Sequence, residues 1–168
     1  MGLSLQSQVA ISASYTGGDA VAPVAASISI SDAILLVTGS GANQADLIYE
    51  EAINIAASGT QTLDLASGLK DPLGAAVVFA RIKGIIILPD PANVNDIVLG
   101  GVGTNAFVGP FGSTTDVVHG QPNGQIVLMT PTAAGWPVNA SSAHLLKLAN
   151  SGAGTAVTGK LILIGCAE

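Results

Sequence analysis

Chemistry in this chain would have to start from very few residues. His119 and His144 are its only histidines. A zinc site wants about three or four ligands, and neither imidazole has Asp or Glu near it at ligand spacing, so surface or interfacial histidines are expected. A Ser-His-Asp triad could draw on the many serines, but the Gly-x-Ser-x-Gly nucleophile elbow does not occur. Cys166 is the single cysteine and cannot form an intramolecular bridge. It reads as a small buried hydrophobe or as a thiol at a frayed end.

Other stretches carry the right residue types without the right context. Gly100-Gly101-Val102-Gly103-Thr104 has the composition of a phosphate cradle. A phosphate loop needs a lysine and a following helix N-terminus; neither is present, and a turn or bulge is expected instead. Asp90, Asn93, Asn95 and Asp96 offer oxygens of the kind calcium takes, about six to eight at a time. EF-hand spacing is absent, and Asx side chains in loops mostly bond their own backbone. Trp136, Tyr49 and Tyr15 are the aromatics a carbohydrate-binding face would use, although a lone tryptophan more often fills a core or an interface. Asn139-Ala140-Ser141 is formally a glycosylation sequon, but Met1 to Gln8 lacks the basic and apolar regions of a secretory leader. No catalytic, cofactor-binding or metal residue is assigned, and an enzyme is not expected.

The elements that would position any of these groups are strands. Val77, Phe79, Ile82 and Ile85 to Leu88 form a nearly continuous β-branched and aromatic run, and Gln125 to Pro131 a second. Short apolar runs bounded by turn residues read as strands buried on both faces. Between them lie Pro89, Pro91, Gly100, Gly101, Gly103, Gly109, Pro110, Gly112, Pro122 and Gly124, which permit tight reversals. Further strands are expected over Ile34 to Thr38, Asp46 to Ala57, Thr60 to Leu65, near Asn139, over Leu145 to Ala149, and over Thr155 to Ile164 with a bend at Gly159. Lys70-Asp71-Pro72-Leu73-Gly74 reads as a turn. About eight to eleven short strands at regular spacing predict an all-β protein, an antiparallel β-sandwich with little or no helix. No internal repeat appears, which argues against a propeller or solenoid.

Residues 1–31 differ from the remainder. Val9, Ile11 and Ala13 alternate with small partners, Gly17-Gly18-Asp19 breaks the pattern, and a second alternation runs from Ala26 to Ser31. This segment reads equally as an extended arm laid on a neighbouring subunit or as two ordinary edge strands, with the sandwich domain occupying 32–168.

Composition narrows the function. Charged residues make up 10% of the chain, against about 25% in ordinary soluble domains, while hydrophobic residues reach 49%. No apolar run approaches the roughly 20 residues of a spanning helix, and aromatics at 4% do not supply the girdles of a membrane barrel. Neither a membrane nor nucleic acid is an expected partner: the basic residues are Lys70, Arg81, Lys83, Lys147 and Lys160, too few to cluster on a phosphate backbone. The apolar surplus must be covered by other protein, so a homo-oligomer, dimer or trimer, is expected. A compact monomer of 16.5 kDa should expose about 7,500 Å².

The ordered motifs FARIKGIIIL, NDIVLGG, NAFVGPFG, the Gln121-Pro122-Asn123-Gly124 turn, GWPV, LLKLANSGAGTAV and LILIG resemble a family of small virion proteins of tailed bacteriophages, the capsid decoration or cement proteins. The likeness covers about residues 58–165. It implies a jelly-roll-like sandwich and no catalytic residues. It further implies synthesis in the host cytoplasm, residence on the capsid exterior, and binding to the major capsid protein at capsomer junctions. A tail or head-fibre protein and a carbohydrate-binding module are the alternatives.

Overall fold

The computed structural model describes residues 2–18 and 23–167, and among them every regular element is a strand. Two long strands open the chain: β1 (Ser4–Gly18) and β2 (Pro23–Thr38). Short β3 (Gln44–Ala45) leads into β4 (Leu47–Ile55) and β5 (Thr60–Asp64). A small ribbon, β6 (Leu69–Lys70) and β7 (Ala76–Val77), precedes β8 (Arg81–Pro89). There follow β9 (Ile97–Gly100), β10 (Val117–Gly120), β11 (Ile126–Met129), β12 (Trp136–Pro137), β13 (Leu145–Asn150) and β14 (Val157–Cys166).

The body is a sandwich of two antiparallel sheets, ordered β4-β14-β8-β11 and β5-β13-β9-β10. Along the chain, the first of these strands pairs with the last, β5 with β13, β8 with β11, and β9 with β10. That nested pairing is a doubled ribbon rolled up on itself, the jelly roll. Residues alternate across a strand, so Ile53, Ile85, Ile87, Leu161 and Leu163 of one sheet meet Leu63, Ile97, Leu99, Leu146 and Leu148 of the other in a closed core. Each such side chain, fully buried, stabilises by about 1.5–3 kcal/mol.

β8 is buried on both faces for a reason that lies in the opening hairpin. Its inward residues enter the sandwich, while Ile86 looks outward with Ile162, Ile164 and Met129, and these are covered by Leu36, Ala45, Leu3, Leu5 and Ile34. The root of the hairpin therefore packs on the outside of the larger sheet. β3 ties that root down by pairing in parallel with the end of β2.

Three sequence expectations change. Ala26–Ser31 and Ile34–Thr38 are not separate strands but parts of a single β2, so position 31/32 falls inside a strand. Of the break expected at Gly17-Gly18-Asp19, the two glycines continue β1 and Asp19 lies outside the described residues. The irregularity in β14 sits at Ile164–Gly165, where the register with β8 shifts, and not at Gly159. Gly159 serves close approach instead: a Cβ there would stand 2.6 Å from the Leu88 carbonyl oxygen.

Candidate interaction surface

The structure brings His119 to Asp96, Nδ1 to Oδ2 at 3.0 Å, across the β9–β10 end of the smaller sheet. Both are solvent-accessible, and among the described residues no three His, Cys, Asp or Glu side chains gather as a metal site would require. His144 lies elsewhere, its Nδ1 3.2 Å from the Asn139 carbonyl in a tight turn. The Asn139 side chain accepts from Ser141 N at 2.9 Å within that turn.

The oxygens of Asp90, Asn93, Asn95 and Asp96 do not converge. Asp90 accepts from Ala92 N at 2.8 Å. Asn93 grips Thr158 from both sides, donating Nδ2 to its carbonyl at 2.7 Å and accepting its N–H at 2.9 Å. Asn95 Nδ2 donates to the Thr155 carbonyl, and Asp96 N donates to Ser151 Oγ. The group laces the 90–96 loop to the start of β14 and to the loop before it. Gly100 and Gly101 adopt left-handed backbone (φ 103° and 71°), and Gly101 N donates to the Asp116 carbonyl at 3.0 Å. Lys147 Nζ donates to the Gly101 carbonyl, so the one cation beside this stretch holds the bend and no helix follows it.

The three aromatics share no surface. Tyr49 is buried, donating its hydroxyl to Glu51 Oε2 at 2.6 Å, and Glu51 also accepts from Gln61. Burial first, and the Glu51 carboxylate second, hold its phenol well above the ordinary range. Trp136 is half-buried against the core edge beside Gly109 and Phe107. Tyr15 is exposed on the hairpin. Cys166 is buried in β14, not frayed, and burial pushes its thiol up ahead of smaller effects from Lys83, Asp46 and Arg81.

What the surface does present is the β1–β2 hairpin. Its register puts Leu5/Leu36, Ser7/Ile34, Val9/Asp32, Ile11/Ile30, Ala13/Ile28 and Tyr15/Ala26 on one face, and Gln8/Ala33, Ala10/Ser31, Ser12/Ser29, Ser14/Ser27 and Thr16/Ala25 on the other, which near its root also carries the exposed Leu35 and Val37 opposite Gln6 and Ser4. The first face is apolar and the second mostly hydroxyl and amide. Leu36 is 1% exposed on the body, but beyond it Ile11 is 51%, Ile28 57%, Ile30 53% and Tyr15 78% exposed. The stripe that roots the hairpin thus runs on into solvent. Asp32 is the sole charge in either strand.

Two buried polar residues to which sequence reasoning gave no role fix loops, Lys83 at the hairpin's root and Asn150 within the body. Lys83 is fully buried beside the β8–β14 irregularity and donates Nζ to the Gly41 carbonyl, fixing the loop between β2 and β3. Asn150 is buried where the loops around β4 and β14 meet. An isolated lysine inside an apolar run such as RIKGIIIL was the only signal available for the first. Comparison with known proteins finds no matching family model, no similar curated protein and no similar solved structure.

Proposed function

We propose that this chain is a structural protein of the tailed-phage virion, a decoration or cement protein that oligomerises and binds the major capsid protein at capsomer junctions on the head exterior. One observation carries the reading: a jelly-roll body whose charge-poor surface continues into a projecting hairpin with an uncovered apolar face. Exposed apolar area beyond a few hundred Å² marks an interaction site. Junctions in a shell are multivalent, so modest contacts add through effective concentration. Two of the motifs that resemble decoration proteins, FARIKGIIIL and LILIG, fall largely on β8 and β14, the central strands of the larger sheet. The reading gives the protein no catalytic role and no cofactor. The fold by itself is shared by many activities and adds little.

Cryo-electron microscopy of virions purified from cells in which the chain is produced tests this. Density at capsomer junctions is the expected result. Density in the tail or at fibre attachment points would move the protein there, and its absence from purified particles would overturn the reading. The carbohydrate-binding alternative is less favoured, because it asks for aromatics together on one face, whereas Tyr49 is buried, Trp136 is half-buried at the core edge and Tyr15 is exposed on the hairpin.

A further inference from the structure

We propose that the outer half of the β1–β2 hairpin is the surface through which copies of this chain associate, the apolar face of one arm packing on the same face of another. This rests on the virion-protein reading only in taking the working form to be an oligomer. Four observations identify the occupant as a second arm. The first is area. The chain exposes 8935 Å², roughly 1,400 Å² more than a compact monomer of its mass, and a stable interface takes about 800 Å² from each partner. The second is stability. Two-stranded hairpins are marginal in water and need a third layer, yet this one is paired along fifteen residues of β1 and rests on the body only near Leu5, Ile34 and Leu36.

The third is patch anatomy. Ile11, Ala13, Tyr15, Ala26, Ile28 and Ile30 form an uncharged field, and Asp32 marks its inner limit, as a polar rim surrounds an apolar interface centre. The fourth is charge. A surface with no ions offers a charged partner nothing to recognise, whereas it matches itself, the same patch serving both subunits as in isologous contacts. Two such faces stack about 10 Å apart as paired sheets do.

The test uses the full chain in sedimentation velocity. Wild type is expected to be an oligomer. Ile11→Asp/Ile30→Asp, which places carboxylates across one rung of the apolar face, is expected to be a monomer that still melts cooperatively, at the temperature wild type shows when diluted below its association range, since both side chains lie outside the core. Ser12→Lys/Ser29→Asp, on the opposite face of the same arm, is expected to remain an oligomer. If the apolar-face variant stays oligomeric, or the polar-face variant dissociates equally, this interface is wrong while the oligomeric reading stands. A wild-type monomer overturns both. Should the carboxylate variant fold poorly, hydrogen exchange on unmodified protein decides: amides of Gln6 to Thr16 should exchange roughly tenfold slower or more above the association range than below it. Unchanged exchange overturns the inference, and slowing only when empty shells are added would assign the arm to the shell.

Discussion

Asn150 ends β13 with its amide turned back into the body. Nδ2 donates to the carbonyls of Thr155 at 2.8 Å, Ala56 at 3.1 Å and Ile55 at 3.3 Å, and Oδ1 accepts Gly152 N at 3.1 Å. One side chain thereby joins the end of β4 to the loop before β14. Removing a partner from buried polar groups costs about 1–3 kcal/mol, so Asn150→Ala should lose that much in urea unfolding. Asn150→Asp should lose more, because a carboxylate would face three carbonyl oxygens. Tyr49 gives the protein an alkaline limit. Its phenol stays protonated in the folded state where the unfolded chain would ionise. The folded form therefore binds a proton the unfolded form has lost, and stability is complete below about pH 10 and declines above it. The urea midpoint should fall between pH 9 and pH 11, and Tyr49→Phe should reduce that fall. Neither role was legible beforehand: an Asn between Ala149 and Ser151 reads as a loop residue, and although Thr155 is near in the chain, the Ile55 and Ala56 carbonyls come from a distant segment. The Asx-rich 90–96 stretch was legible as a loop that bonds backbone, but its partners around Thr158 were not.

Among the elements, β8 and β14 announced themselves because both combine β-branched density with turn residues at their ends, and the Lys70 to Gly74 reversal did so through Pro72, while the structure adds Asp71, which accepts from Leu73 N and Ala75 N. β1 and β2 were legible only in fragments. Their residues are small and weakly apolar, and nothing local shows that alternation persists through Ser31-Asp32, because a hairpin's register is a property of two strands together. The cover over Ile86 was hidden for the same reason: β8 reads as buried on both sides, but the covering layer lies some forty residues or more earlier in the chain. Within β14, Gly159 sits against the backbone of β8. Gly159→Val should force the strands apart and cost about 1–3 kcal/mol or more, read as a lowered unfolding midpoint. Ile30→Asp on the hairpin removes no core packing and should lower that midpoint no further than dilution of wild type below its association range does.

For the whole molecule, the division between body and arm governs solution behaviour. Only Asp32 is charged within the arm's strands, so association through it should not be screened. Raising sodium chloride from about 0.1 to 1 M should leave the oligomer intact, sulfate should strengthen it, and cooling should weaken it. Sedimentation across those conditions checks all three. Dissociation in high salt would point to an ionic contact elsewhere, of which Lys160–Glu50 at 3.6 Å on the outer sheet face is one available pair.

The nested order of the jelly roll has a consequence for how the protein is made. β4 finds its partner only in β14, so the larger sheet cannot close until Cys166 has left the ribosome. The β1–β2 register uses no residue beyond Thr38, although the arm's covering layer must come later from its own body or from another arm, and hairpins close in about 1–10 μs. At about 5–20 residues per second of synthesis, each finished arm precedes its own body by several seconds. Neighbouring ribosomes on one message therefore carry completed arms beside incomplete bodies, and sister chains can meet before either has folded.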